Sequence, residues 1–257
     1  GMRQLTLIIP EGRAWHAEMM SYYRAQKFDL LQPPMQFVGV SMNGSRPLAY
    51  LEVEHWTKEM LEKQGYPGDV NFYNPGGTQT STFDGWDPLY EDLGYSGKYL
   101  KSDISPKNSY EELELLFALE EDDAYLDPDF KAKVLSIFDF DTLIKWHAQS
   151  FLAGNLHAGG ANMRLFFDTS RGQFVPIPWD IHITTPKPLL SEYPSALWRN
   201  VFAVPEWNLA LHQFLWEYLS DEEDSVQIEY YREMVEELAY RDPHKLLSNR
   251  QIKMDLD

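Results

Sequence analysis

Cysteine is absent from the 257 residues, which removes disulfides, thiolate zinc sites and cysteine nucleophiles together. Compartment stays open, because cytosolic and exported proteins alike can lack cysteine. Positive charge is scarce: 22 Lys and Arg stand against 40 Asp and Glu, for a formal net charge of -18. Such a chain is a poor partner for nucleic acid or anionic membrane, whose binding rests on clustered Lys and Arg displacing counterions. An anionic ligand such as a nucleotide needs local positive groups or a metal to offset that background. Long apolar runs are missing as well. Leu5-Thr6-Leu7-Ile8-Ile9 has the length of a strand and falls far short of a signal core or a membrane span. Gly1 ahead of Met2 reads as a tag remnant, so the sequence leaves open whether a native leader was trimmed away. No internal repeat and no clear linker divides the chain, which is expected to form one domain over 1–257.

What is present suits a packed core: 44% of residues are hydrophobic and 14% aromatic. Residues 13–29 carry a helical pattern that ends before Pro33-Pro34, and Phe37 to Val53 reads as a hairpin turning at Asn43-Gly44. Glu54 to Lys63 is expected to be helical and to stop at Gly65, with a short strand from Val70 to Tyr73. Thr78 to Lys107, rich in Gly, Asp and Tyr without periodicity, reads as a long excursion of the kind that forms a lid or binding loop. Ser109 and Glu112 have capping-box spacing for a helix reaching about Leu119. A helix from about Asp141 should bury Leu143, Ile144 and His147 and lead to the Gly154 turn. Pro205 starts another helix, and an acidic one follows from Asp221 to Tyr240.

Polar residues of chemical interest converge in 151–182. Met163 to Phe167 and Gln173 to Ile177 read as two strands of a hairpin. Side chains alternate along a strand, so Asn162 and Arg164 share one face, as do Asp180 and His182, near the hairpin's open end where His157 also enters. A structural reading has Asn162 capping a turn, Asp180 paired with Arg164 and the histidines satisfied in the core or at its rim. Three functional readings stand beside it. Phosphoryl transfer needs a carboxylate, often with an amide, to hold Mg²⁺, and a residue that orients the nucleophile. Asp180 and Asn162 suit the metal, Arg164 is a candidate cofactor-binding cation, and His157 a candidate catalytic group. Alternatively His157, Asp180 and His182 supply two imidazoles and a carboxylate to iron or zinc. The third reading is a binding surface without chemistry.

The order of motifs resembles the CotH kinase family, named for spore coat protein H. Asn43-Gly44, Tyr50, Glu54 and Met60-Leu61 follow the family's first run; Asn71-Phe72-Tyr73-Asn74 is similar to its "NLYK" strand; and Gly154 to Asp180 resembles its "GNxDxxxxN" turn, hairpin and "PWD". The resemblance implies an α+β, atypical protein-kinase-like fold of two lobes. A small N-terminal sheet within 1–107 would carry a Glu54 helix, and a mainly helical part would cover 108–257. It further implies ATP and Mg²⁺ (or Mn²⁺) as cofactors, with Asp180 and Asn162 as metal ligands. Glu54 becomes the helix glutamate that orients a phosphate-contacting lysine, and Trp179 a residue that can stack on adenine or simply fill the core. A protein substrate, or a coat or surface partner, is implied too, as is a place at the cell surface or spore coat.

Departures accompany the match. His157 stands where the family has its catalytic Asp, Asn74 where the strand lysine is usual, and Leu48 where a Gly is usual. The family's glycine- and lysine-containing strand pair ahead of the first helix is not visible, so a phosphate-binding element is either missing or outside this chain. Imidazole can serve as a general base near neutral pH. Lys98 and Lys101 are the candidates for the lost positive charge, or else plain surface lysines. A divergent ATP- and Mg²⁺-dependent protein phosphotransferase and a non-catalytic pseudokinase or surface-assembly module are both expected from this pattern.

Overall fold

Asn43 and Gly44 close the first hairpin with the backbone their types favour. Their φ angles are 52° and 76°, the left-handed pair that a primed turn demands, and the Ser45 N–H donates across the turn to the Met42 carbonyl at 2.9 Å. In the computed structural model, residues 4–13, 15–74, 96–98, 111–121, 123–154, 164–179 and 196–256 are described. Strand β1 (Leu5–Ile8) precedes helix α1 (Ala17–Lys27), and the hairpin strands β2 (Met35–Val40) and β3 (Leu48–Glu54) follow. The three strands form an antiparallel sheet in the order β1-β3-β2. Met19 and Met20 of α1 pack with Leu51 and Val53 of β3.

Glu54 corrects one expectation. It is the last residue of β3, opposite Leu5, and its N–H donates to the Pro34 carbonyl at 2.9 Å. Strand pairing therefore runs through to Glu54, which is buried on the opposite face of β3 from Leu51 and Val53, and the helix begins later, as α2 (Lys58–Lys63). Thr57 sets that start: its backbone is extended and its hydroxyl accepts the Met60 N–H at 3.1 Å, so residues 54–57 stay outside the helix.

The second sheet is assembled from distant segments. Strand β4 (Asn71–Asn74) lies between β5 (Ser96–Lys98) and β6 (Arg164–Asp168), and β7 (Gln173–Ile177) forms the far edge, all antiparallel. The expected lid over 78–107 lies outside the described residues except for β5, a three-residue strand too short to carry a period. Helices α3 (Glu111–Ala118), α4 (Phe130–Ile137) and α5 (Phe140–Leu152) pack against this sheet and one another. Ser109 also lies outside the described residues. Glu112 turns toward β4, accepting Asn71 Nδ2 at 2.6 Å and a short hydrogen bond from the Tyr73 hydroxyl.

Asp139 caps α5 through the Thr142 N–H at 2.8 Å. The expected core face is in place: Leu143, Ile144 and His147 are buried, and His147 stacks on Phe202 with ring centroids 3.8 Å apart. Helices α6 (Ala196–Ala203), α7 (Pro205–Leu219), α8 (Glu223–Arg241) and α9 (Asn249–Leu256) complete the order. Arg24 on α1 forks onto Asp224 of α8, with Nε to Oδ1 at 3.1 Å and Nη2 to Oδ2 at 2.6 Å, and both residues are buried. Among the described residues no helix is long and apolar enough to cross a membrane.

Candidate functional site

The β6–β7 hairpin organises the candidate site. Its closed end is held locally: the Asp168 carbonyl accepts the Arg171 and Gly172 N–H groups at 3.1 and 2.8 Å, and its carboxylate accepts the Ser170 N–H and hydroxyl at 2.9 and 2.6 Å. Gly172 supplies a φ of 68°, which a residue without Cβ adopts freely. At the open end Arg164 lies opposite Ile177. In sequence, Asn162 is two residues before that pair and Asp180 three residues after it. Asn162, Asp180 and His182 themselves lie outside the described residues, as does His157. The chain is delivered toward His157 by α5 and by Gly154, whose φ is 61°.

Arg164 is half-buried, and burial lowers its guanidinium from the ordinary 12.5 to about 10, which still leaves it cationic at neutral pH. Trp179 meets Trp56 edge-on, with centroids 5.0 Å apart and planes at 66°. It also joins two clusters at once, that of Met60, Phe72 and Ile177 and that of Met19, Met20 and Leu51. This wedge ties the residue before Asp180 to both sheets. Glu54 is 2% exposed and meets Lys63 Nζ through Oε1 at 2.5 Å, so the carboxylate sits on the strand and its lysine on the helix.

Sequence reasoning missed a buried helix carboxylate. Glu18 is 4% exposed on α1 beside Met19 and Met20, the residues that meet the Trp179 cluster. Its signal was a charged residue adjoining the apolar Met19-Met20 pair, where a solvated helix face was the ordinary reading. The strand register adds a second point: Tyr73 lies opposite Lys98 and Asn74 opposite Ser96, so β5 carries Lys98 alongside the strand in which Asn74 replaces the family lysine. The side chains of Asn74 and Lys98, and all of Lys101, lie outside what is described.

A carboxylate and an amide are hard oxygen donors, and that chemistry fits Mg²⁺ or Mn²⁺. No protein with a curated description matches the chain. The sequence profile of the CotH kinase protein family matches residues 17–189, about two-thirds of the length and the whole stretch from α1 through the β6–β7 hairpin. With its mixed helices and small antiparallel sheets, this α+β chain of kinase-like fold belongs to the CotH kinase family.

Proposed function

We infer that the protein is a divergent ATP- and Mg²⁺-dependent phosphotransferase acting on a protein hydroxyl. The observation that carries this reading is the Arg164–Ile177 register at the open end of the hairpin, together with the family match across it. Asp180 and Asn162 are assigned to the metal, which when bound supplies charge neutralisation at the transferring phosphate. His157 is assigned as the base that takes the acceptor hydroxyl's proton while the γ-phosphoryl group passes to that oxygen and ADP departs. Arg164 offers a retained positive charge near the phosphates, and Trp179 fixes the backbone ahead of Asp180 or offers a ring edge to adenine. The role first expected of Glu54 as helix glutamate passes to Glu18, because Glu54 lies on β3, the buried Asp224 of α8 is taken by Arg24, and Glu18 is a buried carboxylate on α1 next to Met19 and Met20 of the Trp179 cluster. Lys98 is assigned the charge lost at Asn74, on the strength of the neighbouring register.

Chain 1–257 is taken to act as one unit, because β4 pairs with β6 and α1 is clamped to α8 across the expected 107/108 lobe boundary. A second reading rests on the substitutions at His157 and Asn74: a pseudokinase that binds nucleotide and docks a coat or surface partner without transfer. Incubation with γ-labelled ATP, Mg²⁺ and a generic hydroxyl acceptor such as casein separates the two. Transfer abolished by Asp180→Ala and reduced by about 10²-fold or more by His157→Ala supports the phosphotransferase. Nucleotide binding without any transfer supports the pseudokinase.

A further inference from the structure

A polar cleft of about 750 Å³ opens where the C-terminal ends of α1 and α2 meet the closed end of the β6–β7 hairpin. Arg171 lines it and belongs to the hairpin turn, so the cleft lies at the opposite end of the hairpin from the Arg164–Ile177 pair, about 14 Å away along a five-residue strand. Its size is that of a small-molecule site, but the walls are mainly polar, unlike the apolar pockets that take hydrophobic ligands. Gln26, Asp29, Lys63, Gln64, Tyr66 and Arg171 supply the groups.

Charge decides the ligand class. Lys63 is paired with the buried Glu54, and Arg171 approaches the buried Asp168 at 3.5 Å, so each cationic head is neutralised from behind. Asp29 adds an exposed carboxylate, which leaves the five groups with a net charge of one negative. The C-terminus of the eleven-residue α1 adds the negative end of a helix dipole. An anion is thus disfavoured, and a single net negative charge on an exposed, solvent-screened carboxylate holds a cation only weakly. What remains is a neutral ligand rich in hydroxyls, each able to donate to a carboxylate or carbonyl and accept from an amide, guanidinium or phenol. Burial and the Asp29 charge raise the Tyr66 phenol, so it remains an O–H donor through the neutral range.

The frame is already set. Gln64 Nε2 donates to the Gln32 carbonyl at 2.8 Å, Gln32 Nε2 to the Tyr22 carbonyl at 2.7 Å, and Gln26 Nε2 to the Tyr22 hydroxyl at 2.9 Å. Tyr66 is fixed edge-on against Phe166, with centroids 5.3 Å apart. Fixed polar groups lose little freedom on binding. We propose that this cleft is a binding site for a neutral oligosaccharide, separate from the phosphotransfer site and independent of that reading.

The test is saturation-transfer NMR and calorimetry on the full chain with cellotetraose, maltotetraose and the tetramer of N-acetylglucosamine at millimolar concentration. Inorganic phosphate, spermidine and a neutral Gly-Ser peptide are the comparison probes. Asp29→Asn keeps a residue type that tolerates the position's φ of 56°, and Tyr66→Phe removes a single hydroxyl, so both variants should melt close to the parent. The expected result is binding of at least one tetrasaccharide, weakened about tenfold or more by each variant and unchanged in Asp180→Ala. Binding of none of the three sugars, equal binding in both cleft variants, or preference for phosphate, spermidine or the peptide would overturn the proposal.

Discussion

Single residues show how much depends on paired or neutral polar groups in the interior. Arg24 and Asp224 hold α1 to α8 with two hydrogen bonds, and the Tyr218 hydroxyl donates to the same carboxylate. Burial works against the Asp224 charge, but the Arg24 and Tyr218 hydrogen bonds prevail and keep its carboxyl below the ordinary value. Removing one partner strands the other's charge, so Arg24→Met should lower unfolding stability by about 3 kcal/mol in urea melts. His147 predicts a pH effect. Burial pushes its imidazole down to about 3, below its value of about 6.5 in an unfolded chain. The unfolded state then binds the extra proton, so stability is complete above about pH 6.5 and falls with acidification by up to about 1.4 kcal/mol per pH unit. Urea midpoints between about pH 7 and 5 should show that slope, and His147→Gln should flatten it. His16 and His55, both also lowered chiefly by burial, leave a residual slope of the same sign.

Elements were legible where local chemistry and tertiary packing agree. Asn43-Gly44 announced a turn that only left-handed-tolerant residues make, and the short apolar runs on either side of residues 168–172 announced β6 and β7. Glu54 failed because only three residues, His55 to Thr57, separate the strand from the helix there. Met60 and Leu61 extend the apolar pattern, and the boundary is fixed by the Thr57 cap and the Pro34 carbonyl, the second of which is a tertiary contact. Thr57→Ala should therefore cost about 1 kcal/mol, read as a shift in the urea midpoint with an unchanged slope. Strand β5 was illegible because its partner β4 lies more than twenty residues away and three residues carry no pattern. Glu18 was illegible for another reason: a carboxylate on a helix is ordinarily solvated, and its burial depends on what packs over α1.

At the scale of the whole molecule, the sequence motifs named the family while the structure set them in relation. The β6–β7 hairpin carries the approaches to Asn162 and Asp180 at one end and Arg171 of the polar cleft at the other. The cleft could not be read from sequence because the segments at residues 22–34, 63–66 and 171 that wall it have no local signature in common. With a net charge of -18, the chain repels a free nucleotide unless a cation accompanies it. Nucleotide binding should thus be strictly metal-linked. The deciding measurement is the melting temperature with ATP, alone and with Mg²⁺ or Mn²⁺, in the parent and in Asp180→Ala, because a ligand that binds the folded state raises stability by mass action. The account predicts a rise with the metal nucleotide that neither ATP nor metal produces alone and that Asp180→Ala abolishes. An equal rise in Asp180→Ala, or none in the parent at millimolar metal nucleotide, would contradict it.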